Sequence, residues 1–185
     1  LTEAINSAFS ILQKLGLNIS KIVTNADIQT AIAATTHYLK TKSSEELVAL
    51  PKMVDPKILA AMRILGNVAS ACYISRPDLY PLVVLKQVDL SVEYGNAENS
   101  AYAYATYGLI LCATDVDIEF GNQMGTLALT LLEQFKASFL KAKIFNLFYP
   151  FISVWKYHLK QSLNPLLEGY YSGIDHGDLE FAAYC

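Results

Sequence analysis

Residues 100–131 read SAYAYATYGLILCATDVDIEFGNQMGTLALTL. Ala101, Ala105, Gly108 and Cys112 follow one another four, three and four residues apart, which places four small side chains on one stripe of a helix. After the acidic turn around Asp117, Gly121, Gly125 and Ala128 form a second such stripe. Two facing stripes of small residues let antiparallel helices approach closely. Tyr104, Tyr107, Leu111 and Leu129 are then left to fill the flanks. Residues Tyr102, Thr106 and Leu109 lie away from the first stripe and are the expected interaction surface.

Outward from this pair, similar helix starts recur. They fall at Asp55-Pro56, Glu98-Asn99-Ser100, Ala137-Ser138 and Gly177-Asp178, at intervals of roughly 40 residues. A second series falls between them, at Pro77-Asp78, Asp117-Ile118-Glu119 and Tyr157-His158. Asp55-Pro56 combines an N-cap with a proline at the first helical position, and Pro81 is tolerated in the first turn of the next helix. Gly95 should end that helix and Gly173 a later one, and Pro150 should kink or stop the helix begun at residue 138. Residues 1–54 are less regular, with helices over 1–15 and 27–40 joined by a linker at 17–25 and a capped short helix after Ser43. No segment alternates apolar and polar residues as a half-buried strand does. The expectation is an all-α, TPR-like α-α superhelix, with one domain over residues 1–185 and clear helix pairs over 55–185.

Composition bounds the function. Hydrophobic residues make up 53% of the chain, charged residues 17%, and the net charge is −3. The lysines at 136, 141, 143, 156 and 160 fit a solvated helix face better than a nucleic-acid footprint. No uncharged apolar run reaches the roughly 18 residues of a membrane span, and no signal-peptide order is visible. Cys72, Cys112 and Cys185 are odd in number and widely spaced, which favours free thiols and a cytoplasmic location. The first residue is not Met and the last lies within a helical pattern, so a segment of a longer protein is expected.

Catalytic constellations are thin. His37, His158 and His176 form no metal-binding pair, and Asp175-His176-Gly177-Asp178 reads as a turn capped by Asp178. The acidic group Asp115, Asp117 and Glu119 lacks the further ligands of a calcium loop and suits a helix N-terminus. No phosphate-binding Gly-x-x-x-x-Gly-Lys loop occurs. The expectation is therefore a non-catalytic segment without cofactor or metal.

The helix pair around Tyr104, Tyr107-Gly108, Leu111, Asp117-Ile118-Glu119, Gly121, Gly125 and Ala128 resembles a tetratricopeptide repeat. It departs from that family in one extra residue between the helices, in Gly125 where a large residue is usual, and in its longer period. A broader resemblance rests on residues 50–56 (LPKMVDP), 60–65 (AAMRIL), 94–96 (YGN), 100–104, 107–112 and 177–184 (GDLEFAAY). It is to the helical-repeat region of large, cyanobacterial-type multi-sensor kinases. In that family a Ser/Thr kinase-like domain and an ATPase precede the region, and a GAF sensor and a histidine kinase follow it. The resemblance implies a scaffold that couples those modules by binding another domain of the same kinase or a partner protein. Two other readings stay open: a ligand-binding sensor with residues 144–155 as a pocket wall, and a homo-oligomerisation module forming a homodimer.

Overall fold

The computed structural model describes residues 1–20, 24–114 and 117–185. Among them the chain is all-helical, with ten α-helices, several short 3-10 or π turns and no β-strand. Its contacts divide it into two compact units, Leu1–Asn99 and Ser100–Cys185. The division therefore falls at the start of a helix pair.

In the first unit, α1 (Thr2–Lys14) buries Ile5, Phe9 and Leu12, a stripe one turn apart, against α4. Helix α2 (Asn25–Leu39) opens on a reciprocal cap. The Asp27 amide donates to Thr24 Oγ1 at 3.2 Å and the Thr24 amide donates to Asp27 Oδ2 at 2.9 Å. Ser43 and Glu46 repeat that arrangement at α3 (Ser44–Val48). At α4 (Pro56–Ser75), Asp55 Oδ1 accepts from the Lys57 amide at 2.8 Å, with Pro56 at the first helical position. Helix α4 is long and apolar enough to cross a membrane by length and composition. Here it is the helix against which α1 and α5 pack.

Helix α5 (Tyr80–Tyr94) follows the start marked by Pro77-Asp78. Asp78 pairs with Arg76 at 2.6 and 2.9 Å, and the cap position is Leu79 with no side-chain bond. One correction concerns a helix end. Gly173 does not end a helix: α9 (Leu163–His176) runs through it to Gly177, which takes the left-handed turn.

Gly95 ends α5 with φ at 94°, and a Cβ there would lie 2.0 Å from the Pro51 carbonyl oxygen. The Asn96 amide donates to that oxygen, Met53 N donates to Asn96 O, and the Asn96 Nδ2 donates to Leu47 O. The Leu-Pro-Lys-Met and Tyr-Gly-Asn segments, far apart in sequence, are thus sewn together by backbone bonds.

The second unit holds α6 (Glu98–Ala113) from Ser100 onward, α7 (Ile118–Gln134), α8 (Lys141–Leu147), α9 and α10 (Leu179–Tyr184). Asp117 caps α7 through the Phe120 amide at 2.9 Å. Asp115, the other aspartate of that acidic group, lies outside the described residues, as do residues 21–23 of the linker. Beyond α8 the chain widens into a π turn, Phe148–Ile152, and tightens into a 3-10 turn, Ser153–Trp155. Pro150 explains the change: it has no amide hydrogen, and its ring would strike the carbonyl one turn back in a regular helix.

Candidate interaction surface

The small-residue stripes meet within the second unit. A Cβ on Gly108 would lie 2.6 Å from the Gly121 carbonyl oxygen and 3.2 Å from the Gly125 nitrogen. A Cβ on Gly121 would lie 2.6 Å from the Cys112 sulfur and 2.9 Å from the Gly108 oxygen. The two backbones therefore touch, which any side chain at these positions would prevent. Gly125 also receives the Phe148 ring and Ile152, so the π turn seats on the same seam. Ala101, Ala105 and Ala128 are fully buried. Within residues 144–155, Ile144 and Ile152 are fully buried, Ile152 packs on the glycine seam, and Trp155 faces solvent.

The expected surface of Tyr102, Thr106 and Leu109 is corrected. Tyr102 is 4% exposed, with the Lys143 ammonium 6.0 Å from its ring centroid. Thr106 is fully buried, and its hydroxyl donates to the Tyr102 and Ala103 carbonyls at 2.8 and 2.9 Å. Leu109 is half-buried against Cys112, Phe148 and Ile152. The expectation assumed a helix with one covered face. Nearly every side chain of α6 is buried, so the side opposite the stripe is core as well.

An exposed apolar stripe runs along α9. Leu163, Leu167, Tyr170, Tyr171 and Ile174 recur at helical spacing, and each is 41% exposed or more. The opposite face is narrow and small. A Cβ on Gly169 would meet Phe145 Cβ at 3.3 Å, and one on Gly173 would meet Ala182 Cβ at 2.8 Å. Ser172 between them donates its hydroxyl to Ser138 O at 3.0 Å. Helix α9 thus docks by its smallest residues against α8 and α10 and leaves its largest outside. The sequence carried this signal in Gly169, Ser172 and Gly173, which mark the docking face as plainly as Gly108 does in α6.

Helix α9 is pinned by polar groups in its middle and at its C-terminal end. Glu168 pairs with Lys141. His176 lies 3.0 Å from Ser138 Oγ through Nε2 and 2.8 Å from the Ser172 carbonyl through Nδ1. Gly177 then turns the chain, and Asp178 caps α10 through the Phe181 amide. His158 caps the 3-10 turn Leu159–Ser162, its Nδ1 accepting from the Lys160 amide. All three thiols are reduced, and burial pushes those of Cys72 and Cys112 up to about 11. At neutral pH they are protonated, poor nucleophiles.

In the first unit, a groove of about 600 Å³ lies between α2 and α5. Ala31, Ala34 and Tyr38 line one side and Val88, Asp89 and Glu93 the other. Partial desolvation by the groove pushes the Asp89 carboxyl up, an effect that Lys86 opposes and Glu93 adds to; the residue as a whole is exposed, so the effect is small.

No protein-family model matches the chain, and no solved structure matches it. Among curated proteins it is similar to hybrid signal transduction histidine kinase G of Dictyostelium discoideum, with 23% identity over 134 residues, or 71% of this chain. The chain spans 4% of the length of that protein. This similarity supports a signal-transduction kinase context.

Proposed function

We propose that the chain is a TPR-like helical-repeat scaffold in a signal-transduction kinase and that it takes no part in catalysis itself. It would work in the cytoplasm, joining kinase and ATPase modules to sensor and histidine-kinase modules by docking one of them, or a partner protein. The helix starts at intervals of roughly 40 residues, capped at Asp55 and Asp178, and the glycine contact between α6 and α7 support the repeat reading. The similarity to a signal transduction histidine kinase supports the setting.

The observation that carries the interaction role is the bare stripe of α9. Five large apolar side chains in a row are costly to leave in water, at ~25 cal/mol per Å² of apolar area. A helix that docks by glycines while presenting leucines and tyrosines has its adhesive face directed outward.

The test titrates the chain with the kinase, ATPase, sensor and histidine-kinase modules as separate polypeptides, read by hydrogen exchange. One module should protect the amides of α9, and Leu167→Glu should remove that protection without lowering the unfolding temperature. Failure of every module to protect α9, or ATP binding and phosphoryl transfer by the chain alone, would overturn the proposal. A homodimer is the competing occupant of the same stripe. Native mass spectrometry across a concentration series separates the two, since a dimer abolished by Leu167→Glu would assign the stripe to self-association.

A further inference from the structure

The α2–α5 groove has a shape and a charge that α9 lacks. Its two walls each run about two helical turns, from Ala31 to Tyr38 and from Leu85 to Glu93, or roughly 12 Å. The α2 wall is built of Ala31, Ala34 and Thr35, so nothing bulky keeps another backbone away over most of its length. The α5 wall is apolar at Leu85, Val88 and Val92. An elongated apolar channel with one low wall suits a helix laid along it.

The charged groups lining the groove are both acidic. Asp89 and Glu93 stand one turn apart on α5, a spacing of about 5–6 Å between their Cβ atoms. No cation comes within ion-pair distance of Asp89 among the described residues, and no hydrogen-bond donor reaches its carboxylate. Lys86, on the same helix, acts on it only at longer range. Glu93 is exposed and makes no ion pair among the described residues, which leaves its charge unneutralised. Asp89 and Glu93 are both exposed at the rim of an apolar groove, so they present an unneutralised pair of carboxylates to whatever lies along it, and a cationic pair would complement them.

We propose that this groove docks an amphipathic helix of a protein partner that carries two basic side chains one turn apart, with apolar residues between them. The basic pair meets Asp89 and Glu93, and the apolar face lies over Val88 and the alanines of α2. This rests on the interaction-module reading and gives it a second, chemically distinct surface.

The probe is a labelled alanine–leucine helical peptide with two arginines four residues apart, titrated into the intact chain and followed by fluorescence anisotropy. The same peptide with glutamates in place of the arginines is the control, and agmatine is the small-cation competitor. The arginine peptide should bind saturably and less tightly as salt rises. Asp89→Asn should weaken it about fivefold, the upper end for a solvent-edged ion pair. Ala34→Trp, at a position exposed on α2, should abolish it by filling the channel. Both variants are checked by circular dichroism, and Asp89→Asn removes an unpaired charge, so it should fold. Equal binding of the glutamate peptide, or no effect of either variant, would overturn the proposal. So would agmatine competing at concentrations equal to the peptide's own, which would make the site one for a small cation. Leu167→Glu should leave peptide binding unchanged. Lost peptide binding with α9 protection intact would remove the groove alone, whereas lost α9 protection with peptide binding intact would remove the α9 assignment.

Discussion

Helices α6 and α9 use the same device and end in opposite surroundings. Each turns glycine toward a neighbour: Gly108 toward Gly121 and Gly125, Gly169 and Gly173 toward α8 and α10. In α6 the remaining faces are covered too, and Tyr104 and Tyr107 are fully buried. In α9 the large residues stay in water, with Tyr171 57% exposed. Small residues therefore report which face docks. They do not report what happens to the other faces, and that difference separates a core helix from an adhesive one.

Gly108→Leu should strike hardest. Its side chain would displace backbone atoms of α7, which cannot move aside as a flexible side chain can. A loss of about 3 kcal/mol or more is expected in thermal unfolding, and an unchanged transition would break the claim that α6 and α7 touch through glycine. Tyr102→Ala comes next, at about 3 kcal/mol, because it empties a buried aromatic site. A loss below about 0.5 kcal/mol would return Tyr102 to the surface.

Gly173→Ala should cost less, about 1 kcal/mol, since the added methyl meets Ala182 in a short last helix that can shift. Faster amide exchange confined to residues 178–185 is the expected signature. Leu167→Glu should change stability by less than about 0.5 kcal/mol. A large loss would mean that the α9 stripe is covered.

The smallest effect belongs to Asp89. Its carboxyl is held above the usual range in the folded chain, so the folded state binds the proton more readily than the unfolded one. That contribution favours folding at acid pH and fades as pH rises through the folded value. Asp27 and Asp78, held low by Thr24 and Arg76, act in the opposite sense. The comparison must therefore be between Asp89→Asn and the parent chain. The variant should gain slightly in relative stability from about pH 4 to 7, and a relative loss over that range would contradict the unpaired carboxylate.

Much of the fold was legible because helix ends are local. The Asp55, Asp117 and Asp178 caps, the Ser43 start and the turns at Gly95 and Gly177 each depend on a few adjacent residues. Gly173 was misread as a helix end because its missing side chain serves the close contact with Ala182 of α10 and not a left-handed turn. The interaction surface was harder. Tyr102 and Tyr171 both sit on aromatic-rich helices, and only the packing of a third element distinguishes them. Sequence periodicity gives the faces of a helix. It does not give the number of neighbours.

The most direct measurement is hydroxyl-radical footprinting of the tyrosines in the free chain and in its complex with a protecting module. Fast labelling of Tyr170 and Tyr171 beside protected Tyr104 and Tyr107 is the expected pattern in the free chain, with Tyr170 and Tyr171 becoming protected on binding. Slow labelling of Tyr170 and Tyr171 in the free monomer, or labelling that no partner alters, would contradict an outward-facing docking helix.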